Sequence, residues 1–292
     1  MTNQPLAEIF GYPAESTSPE AQRCRKMRLC PFNNRIPNCT KDRAKKPLGV
    51  CSIYEKGRKT VVCPIRLRQN WRVIEGAADA FFDPGTLWTS ITDVKLFDKY
   101  YNLVGIIDFI LVAYNQRGDI IDFGALDLHA AYVTQNLRRP FERYMYDQQA
   151  YLKEGYKGQN QPHADYLSTI RKRIAPQLIY KGSIFHAWQK RSAIALDKGL
   201  FDALPGFTEV DAHQSEVTWL VYDYASNNVD GINDLILHKT VHTLFEPTLF
   251  QITRVEPGLL ESFISELQEQ LDEQLDKDYP PDVPILEDLK EE

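Results

Sequence analysis

The sequence predicts an α/β protein with a small cysteine-bearing segment near its N-terminus. Three observations predict it. Residues 102–133 form two β-rich apolar runs broken by one turn, residues 163–204 and 258–275 read as helical, and four of the five cysteines fall within residues 30–64. The 292 residues suffice for one large domain or two modest ones with a sizeable core. At 43% hydrophobic and 25% charged residues, the composition is that of a globular chain.

The elements follow in order. "STSPEAQRCRKMRL" starts a helix: Ser18 can cap it, Pro19 suits its first position, and Glu20 favours its positive end. Residues 30–64 are turn-rich. "NLVGIIDFILVAYNQRGDIIDFGALDLHAAYV" reads as two strands joined by a turn at Asn115–Asp119. Residues 163–204 read as mostly helical, interrupted at Pro176 and Gly182. "VTWLVYDYAS" and "LILHKTVHTLF" read as two more strands. "PGLLESFISELQEQLDEQL" is an amphipathic helix with Leu260, Phe263, Ile264, Leu267, Leu271 and Leu275 on one stripe. A Pro-rich acidic tail follows. The expected organisation is a helix and cysteine module over 1–75, a core over 76–257, and a C-terminal helix with its tail over 258–292.

Charge is unevenly distributed. The net value is −6, yet residues 20–73 hold 15 Lys or Arg against three acids, and residues 256–292 hold 13 acids against two Lys. Such asymmetry permits a polyanion-binding face. The N-terminus lacks the pattern of a signal peptide, and the most apolar run is short and contains Asp108. A cytoplasmic protein is expected.

Cys30, Cys39, Cys51 and Cys63 are separated by 8, 11 and 11 residues. In a chain expected to stay in a reducing compartment, four thiols on a turn-rich stretch suggest a tetrahedral metal site more than disulfides. Thiolates suit zinc or iron, and spacing does not choose between them. Buried free cysteines are the simpler alternative.

Three acids carry the catalytic expectation: Asp93 in "TSITDVKLFD", Asp108 in "GIIDFILV" and Asp127 in "ALDLHA". An acid inside an apolar strand faces a desolvation cost unless it has a partner or a function. Asp127 and His129 are two apart on one strand and share a face. If the two strands pair, Asp108 and Asp127 meet and offer hard oxygen ligands to Mg²⁺. His129 would then take the place that Lys holds in most nucleases of this type. Two polar side chains on a wet strand face are the plainer reading.

Together "CPFNN…CTK…PLGVCS…VVCPIRL", "DVKLFD…NLVGIIDFILV…GALDLHAAYV" and "DYLSTIRKRIAPQLIYKGSIFHAWQKRSAIALDKGLFDALP" resemble the NotI-type restriction endonucleases over about residues 9–257. The resemblance implies a PD-(D/E)xK nuclease core, in which a mixed central sheet is flanked by helices. It also implies an iron-holding four-cysteine module, a homodimer, and Mg²⁺-dependent cleavage of palindromic double-stranded DNA. By it, Cys30, Cys39, Cys51 and Cys63 match the iron ligands and Asp108 the central catalytic Asp. Asp127 stands where the family has Glu, His129 where it has Gln, and Asp93 where a helix-borne Glu contributes. A DNA methyltransferase is implied as a functional partner that protects host DNA.

Arg138, Arg139 and Arg143, then Arg171, Lys172 and Arg173, then Lys181, are the expected phosphate contacts; such residues set affinity and its salt dependence. His163, His186, His213, His238 and His242 show no ligand pattern. A second reading is a DNA-binding protein of the same fold that has lost cleavage through its changed positions.

Overall fold

The strands supply the frame. In this computed structural model, residues 4–33, 36–41, 46–156, 161–225 and 231–276 are described. The acidic tail 277–292 lies outside these, as do Arg35, Arg43 and Lys45 of the basic stretch. An N-terminal sheet is built from β1 (Leu6–Ile9), β2 (Tyr12–Pro13), β3 (Val50–Glu55) and β4 (Arg58–Val61), in the order β2-β1-β3-β4. The central sheet contains β5 (Trp88–Phe97), β6 (Leu103–Tyr114) and β7 (Ile120–Leu128). Two short strands, β8 (Tyr132–Val133) and β9 (Ala164–Asp165), pair with each other. The central sheet continues with β10 (Ser192–Asp197), β11 (Val217–Tyr224) and β12 (Leu235–Thr243), in the order β12-β11-β10-β7-β6-β5. It is mixed: β10 runs parallel to both β7 and β11, and the other pairings are antiparallel.

The β6–β7 hairpin forms for the reason its sequence suggests. Asn115 Oδ1 accepts the Arg117 and Asp119 N–H groups at 2.9 and 3.0 Å, and Gly118 supplies a φ of 88°. Along β7, period-2 alternation turns Leu126 and Leu128 to one face and Ala125 and Asp127 to the other. The helix Arg72–Phe81 covers the first face. It buries Val73, Ile74, Ala77, Ala78 and Phe81 against Phe109, Leu111, Ala193 and Ala195. Each large side chain buried there contributes about 1.5–3 kcal/mol. Gly124 makes this approach possible, since a Cβ there would stand 2.6 Å from the Phe81 ring.

The other face is covered by residues 166–187, a helical run containing two π turns, Ile170–Ile174 and Leu178–Gly182. Gly182 does not interrupt it: its φ of −57° is helical. Pro176 is accommodated directly after the first π turn, where the regular bonding ladder is already broken. The expectation of helix through residue 204 is corrected at "SAIALD", which is β10 and lies inside the sheet. "WTSITDVKLF" is likewise an edge strand, so Asp93 is strand-borne and not on a helix.

The N-terminal helix Pro19–Met27 begins as expected, with the Ala21 N–H donating to Ser18 Oγ at 3.3 Å. The described residues up to Thr253 form one compact unit and those from Arg254 onward a second. In the latter, the helix Leu260–Asp276 carries its apolar stripe exposed. No helix among the described residues is long and apolar enough to cross a membrane.

Candidate active site

The register Phe109↔Leu126 brings Asp108 opposite Asp127, and there the β6–β7 ladder ends. β7 continues instead along β10, pairing Asp127 with Ile194 and Leu128 with Ala195. Each carboxylate takes over a backbone donor at the parting. Leu128 N–H donates to Asp108 Oδ2 at 2.8 Å, and Asp108 N–H donates to Asp127 Oδ1 at 3.3 Å. The two acids are thereby fixed to the sheet itself. Backbone donors of this kind stand in for the ladder bonds that the divergence removes.

A third group joins them from the covering helix. Lys181 Nζ donates to Asp127 Oδ1 at 2.8 Å and to the Ile106 carbonyl at 2.6 Å. Burial raises the Asp108 carboxyl above its usual range, and the Asp127 charge adds to this. Leu128 N–H, Lys181 and Arg68 only partly offset it. Burial likewise raises Asp127, against the pull of Lys181. The cations at hand do not fully compensate the pair, so the donor set fits a further positive charge, and two carboxylate oxygens suit a hard divalent ion.

The other expected residues are placed as follows. His129 lies one residue past β7, where its N–H donates to the Ala195 carbonyl at 2.8 Å. It is 1% exposed, and neither ring nitrogen has a hydrogen-bond partner of regular geometry. Burial lowers its pKa to about 4; nearby Asp108 and the Gln177 side chain pull upward, while Lys181 and Arg173 push further down. Its ring is therefore neutral at physiological pH. Asp93 is exposed on β5 and falls in the register position opposite Asp108, between Thr92↔Phe109 and Val94↔Ile107. Its φ of 55° is a rare strand conformation for a residue with a side chain.

Among the expected phosphate contacts, Arg171, Lys172 and Arg173 are exposed on the first π turn. Arg173 stacks 4.8 Å over the Tyr132 ring and donates to its hydroxyl at 2.9 Å. On the helix Arg138–Tyr146, Arg139 is exposed, while Arg143 is paired to Glu154 at 2.7 Å and Arg138 lies 3.8 Å from Glu142. Lys181 is the departure: it is 8% exposed and faces the acids. Sequence reasoning also missed Arg68, stacked 4.8 Å over Phe109 and within electrostatic reach of Asp108. Its only sequence signal was membership of the basic stretch.

The cysteines fall on two hairpins. Cys30 and Cys39 follow the two residues of the Leu29↔Asn38 bridge, and Cys51 and Cys63 lie near the joined ends of β3 and β4, with Val62 N–H donating to the Cys51 carbonyl at 3.0 Å. Burial pushes the Cys30 thiol up to about 12, with Cys63 and Cys39 adding to the shift. Cys51 is raised well above its usual value by burial, then by Cys63, Glu8 and Cys30. All four are free thiols, and no group of three or more His, Cys, Asp or Glu among the described residues is arranged to hold a metal ion. The four thiols neighbour one another: Cys30 feels Cys63 and Cys39, and Cys51 feels Cys63 and Cys30.

A mixed α/β sheet that holds an acidic pair where two strands part is a framework on which nuclease chemistry can be built. The particular lineage is given by sequence: the chain belongs to the restriction endonuclease NotI family, whose model matches residues 12–233. That span holds all four paired cysteines, Asp93, Asp108, Asp127, His129 and Lys181. Family membership makes the protein a type II site-specific deoxyribonuclease, with DNA as its substrate. A comparison with curated proteins gave no match.

Proposed function

We propose that the protein hydrolyses phosphodiester bonds at a palindromic site in duplex DNA, as a homodimer that depends on Mg²⁺. One observation carries the catalytic part. Asp108 and Asp127 lie side by side, each tied to the other's strand by a backbone N–H, and both are shifted toward protonation. Asp108 and Asp127 would hold the divalent ion, with Asp93 in the register position beside Asp108 on the edge strand. When bound there, Mg²⁺ acidifies water and offsets charge on the pentavalent phosphorus. The protein's own part is positioning: the sheet fixes both carboxylates, and Arg171, Lys172 and Arg173 offer exposed charge for the DNA backbone beside them. Two copies reading a two-fold site explain a palindromic target. The PD-(D/E)xK reading of the core is supported by the mixed sheet and by the paired acids on adjacent antiparallel strands. A protecting methyltransferase belongs to the same reading.

The four cysteines are proposed to hold iron, with zinc as the alternative. Their number, their place on two hairpins and the mutual influence of their thiols support this. Closure of the sulfur atoms onto one ion would stabilise a stretch poor in apolar residues.

The test uses purified protein, mixed-sequence duplex DNA, and Mg²⁺ or Mn²⁺. Discrete fragments that Asp108→Asn abolishes are expected. Retarded but intact DNA with either metal sinks the cleavage reading and leaves a DNA-binding protein. Elemental analysis decides the cysteine site: bound iron lost in Cys51→Ser is expected, and a metal-free folded protein overturns it.

A further inference from the structure

Lys181 is expected at the surface as one phosphate contact among several, yet the fold buries it against the acids. Its ammonium meets three acceptors: the Ile106 carbonyl at 2.6 Å, Asp127 Oδ1 at 2.8 Å and Gln177 Oε1 at 3.4 Å. Three donors matched by three acceptors hold it in one place. The backbone is shaped around its stem. A Cβ at Gly105 would stand 3.0 Å from Lys181 Cε, so a glycine on β6 gives the side chain its channel. The residue sits within the π turn Leu178–Gly182, and π turns recur where a helix must re-aim a functional side chain.

His129 holds the position two residues after the second acid, where this kind of site usually carries a cation. It is buried, and neither ring nitrogen meets a partner of regular hydrogen-bond geometry. The positive charge of the site comes from the helix. We propose that Lys181 is the positioning residue of this centre and supplies the cation that strand β7 lacks. It engages Asp127 through Oδ1 and leaves Oδ2 for the divalent ion. The proposal rests on the cleavage reading above and goes beyond it by assigning the charge to Lys181 in place of His129.

The experiment compares Lys181→Met and His129→Leu with the unaltered protein. Mn²⁺ binding to the protein alone is measured by calorimetry, and DNA cleavage by single-turnover kinetics under saturating protein. Lys181→Met is expected to cut at least about 100-fold more slowly. It is also expected to bind Mn²⁺ at least about three-fold more tightly, because a like charge beside the carboxylate is gone. His129→Leu is expected to stay within about ten-fold in rate. Slower cutting with weaker Mn²⁺ binding marks Lys181 as a structural brace and overturns the proposal. A Lys181→Met rate close to the parent's overturns it while the cleavage reading stands. An unaltered protein that binds Mn²⁺ but cuts no duplex overturns the cleavage reading, and this one with it. Should the methionine variant fail to fold, Lys181→Gln gives the same comparison.

Discussion

Replacing Glu8 by Gln should cost about 3–5 kcal/mol of folding stability, although Glu8 belongs to the N-terminal sheet and not to the sheet that carries Asp108 and Asp127. Glu8 on β1 and Arg66 are both fully buried. Arg66 donates to Glu8 Oε2 at 2.9 Å and to Glu8 Oε1 at 3.0 Å, and also to Gln69 Oε1 and the Asn233 carbonyl. Tyr224 and Ser52 hydroxyls donate to the same carboxylate at 2.7 and 2.8 Å. Burial alone would raise the Glu8 pKa, but the Arg66 charge and these donors bring it below the usual range. At an effective dielectric of 20 and a 3 Å separation, the attraction is about 5 kcal/mol, consistent with the range above. Glu8→Gln removes the charge and leaves the Arg66 guanidinium buried without its counter-ion. The network joins β1, β3, β11 and the segment Pro64–Trp71, from which Arg68 reaches Asp108. Urea unfolding followed by circular dichroism should show the loss. The double variant Glu8→Met with Arg66→Met should cost much less than the sum of the two single changes. A single-variant loss below about 1 kcal/mol, or additive single changes, refutes the account.

Other outcomes follow from the same structure. Asp108→Asn should abolish cleavage yet retain duplex binding in a gel-shift assay with Ca²⁺, since its neighbours Leu128 N–H and Asp127 keep the strand geometry. Asp197, 2% exposed, accepts the Val61 and Leu200 N–H groups and is raised by burial to about 7. Between pH 4 and 7 the unfolded chain ionises this group while the folded protein keeps it protonated, so its contribution to stability falls as pH rises. Asp197→Asn should remove that slope, worth at most on the order of 4 kcal/mol, when urea midpoints are compared at pH 5 and pH 8. Gly124→Ala should destabilise by about 1–3 kcal/mol, because the new Cβ overlaps the Phe81 ring; an unchanged thermal midpoint would count against the packing described.

The parts of the fold legible in the sequence are those with local chemistry. The Asn115–Asp119 turn, the Ser18 cap and the two apolar runs each declare themselves within a few residues. β10 does not: "SAIALD" has one β-branched residue, no aromatic one and two alanines, and becomes a strand because β7 and β11 pair with it on both sides. β5 was obscured because both its rows contain apolar residues, Trp88, Val94 and Leu96 on one and Ile91 and Phe97 on the other. The acids were legible because an Asp within "LVGIIDFILV" has to be explained. Lys181 was not, since nothing local separates it from Lys190 or Lys172. Its role comes from a contact 54 residues away in sequence. The His129 position was readable, but its neutrality depends on burial that only the fold supplies.

The two π turns bear on how this enzyme can change. Each amounts to one inserted residue, and one residue turns the following helix by about 100°. A single deletion at residues 170–174 would therefore swing Lys181 away from Asp127 while scarcely altering length or composition. The active site is in this sense phase-locked. Substitutions along the exposed turn leave the path of the helix unchanged, whereas insertions and deletions between β9 and Lys181 do not.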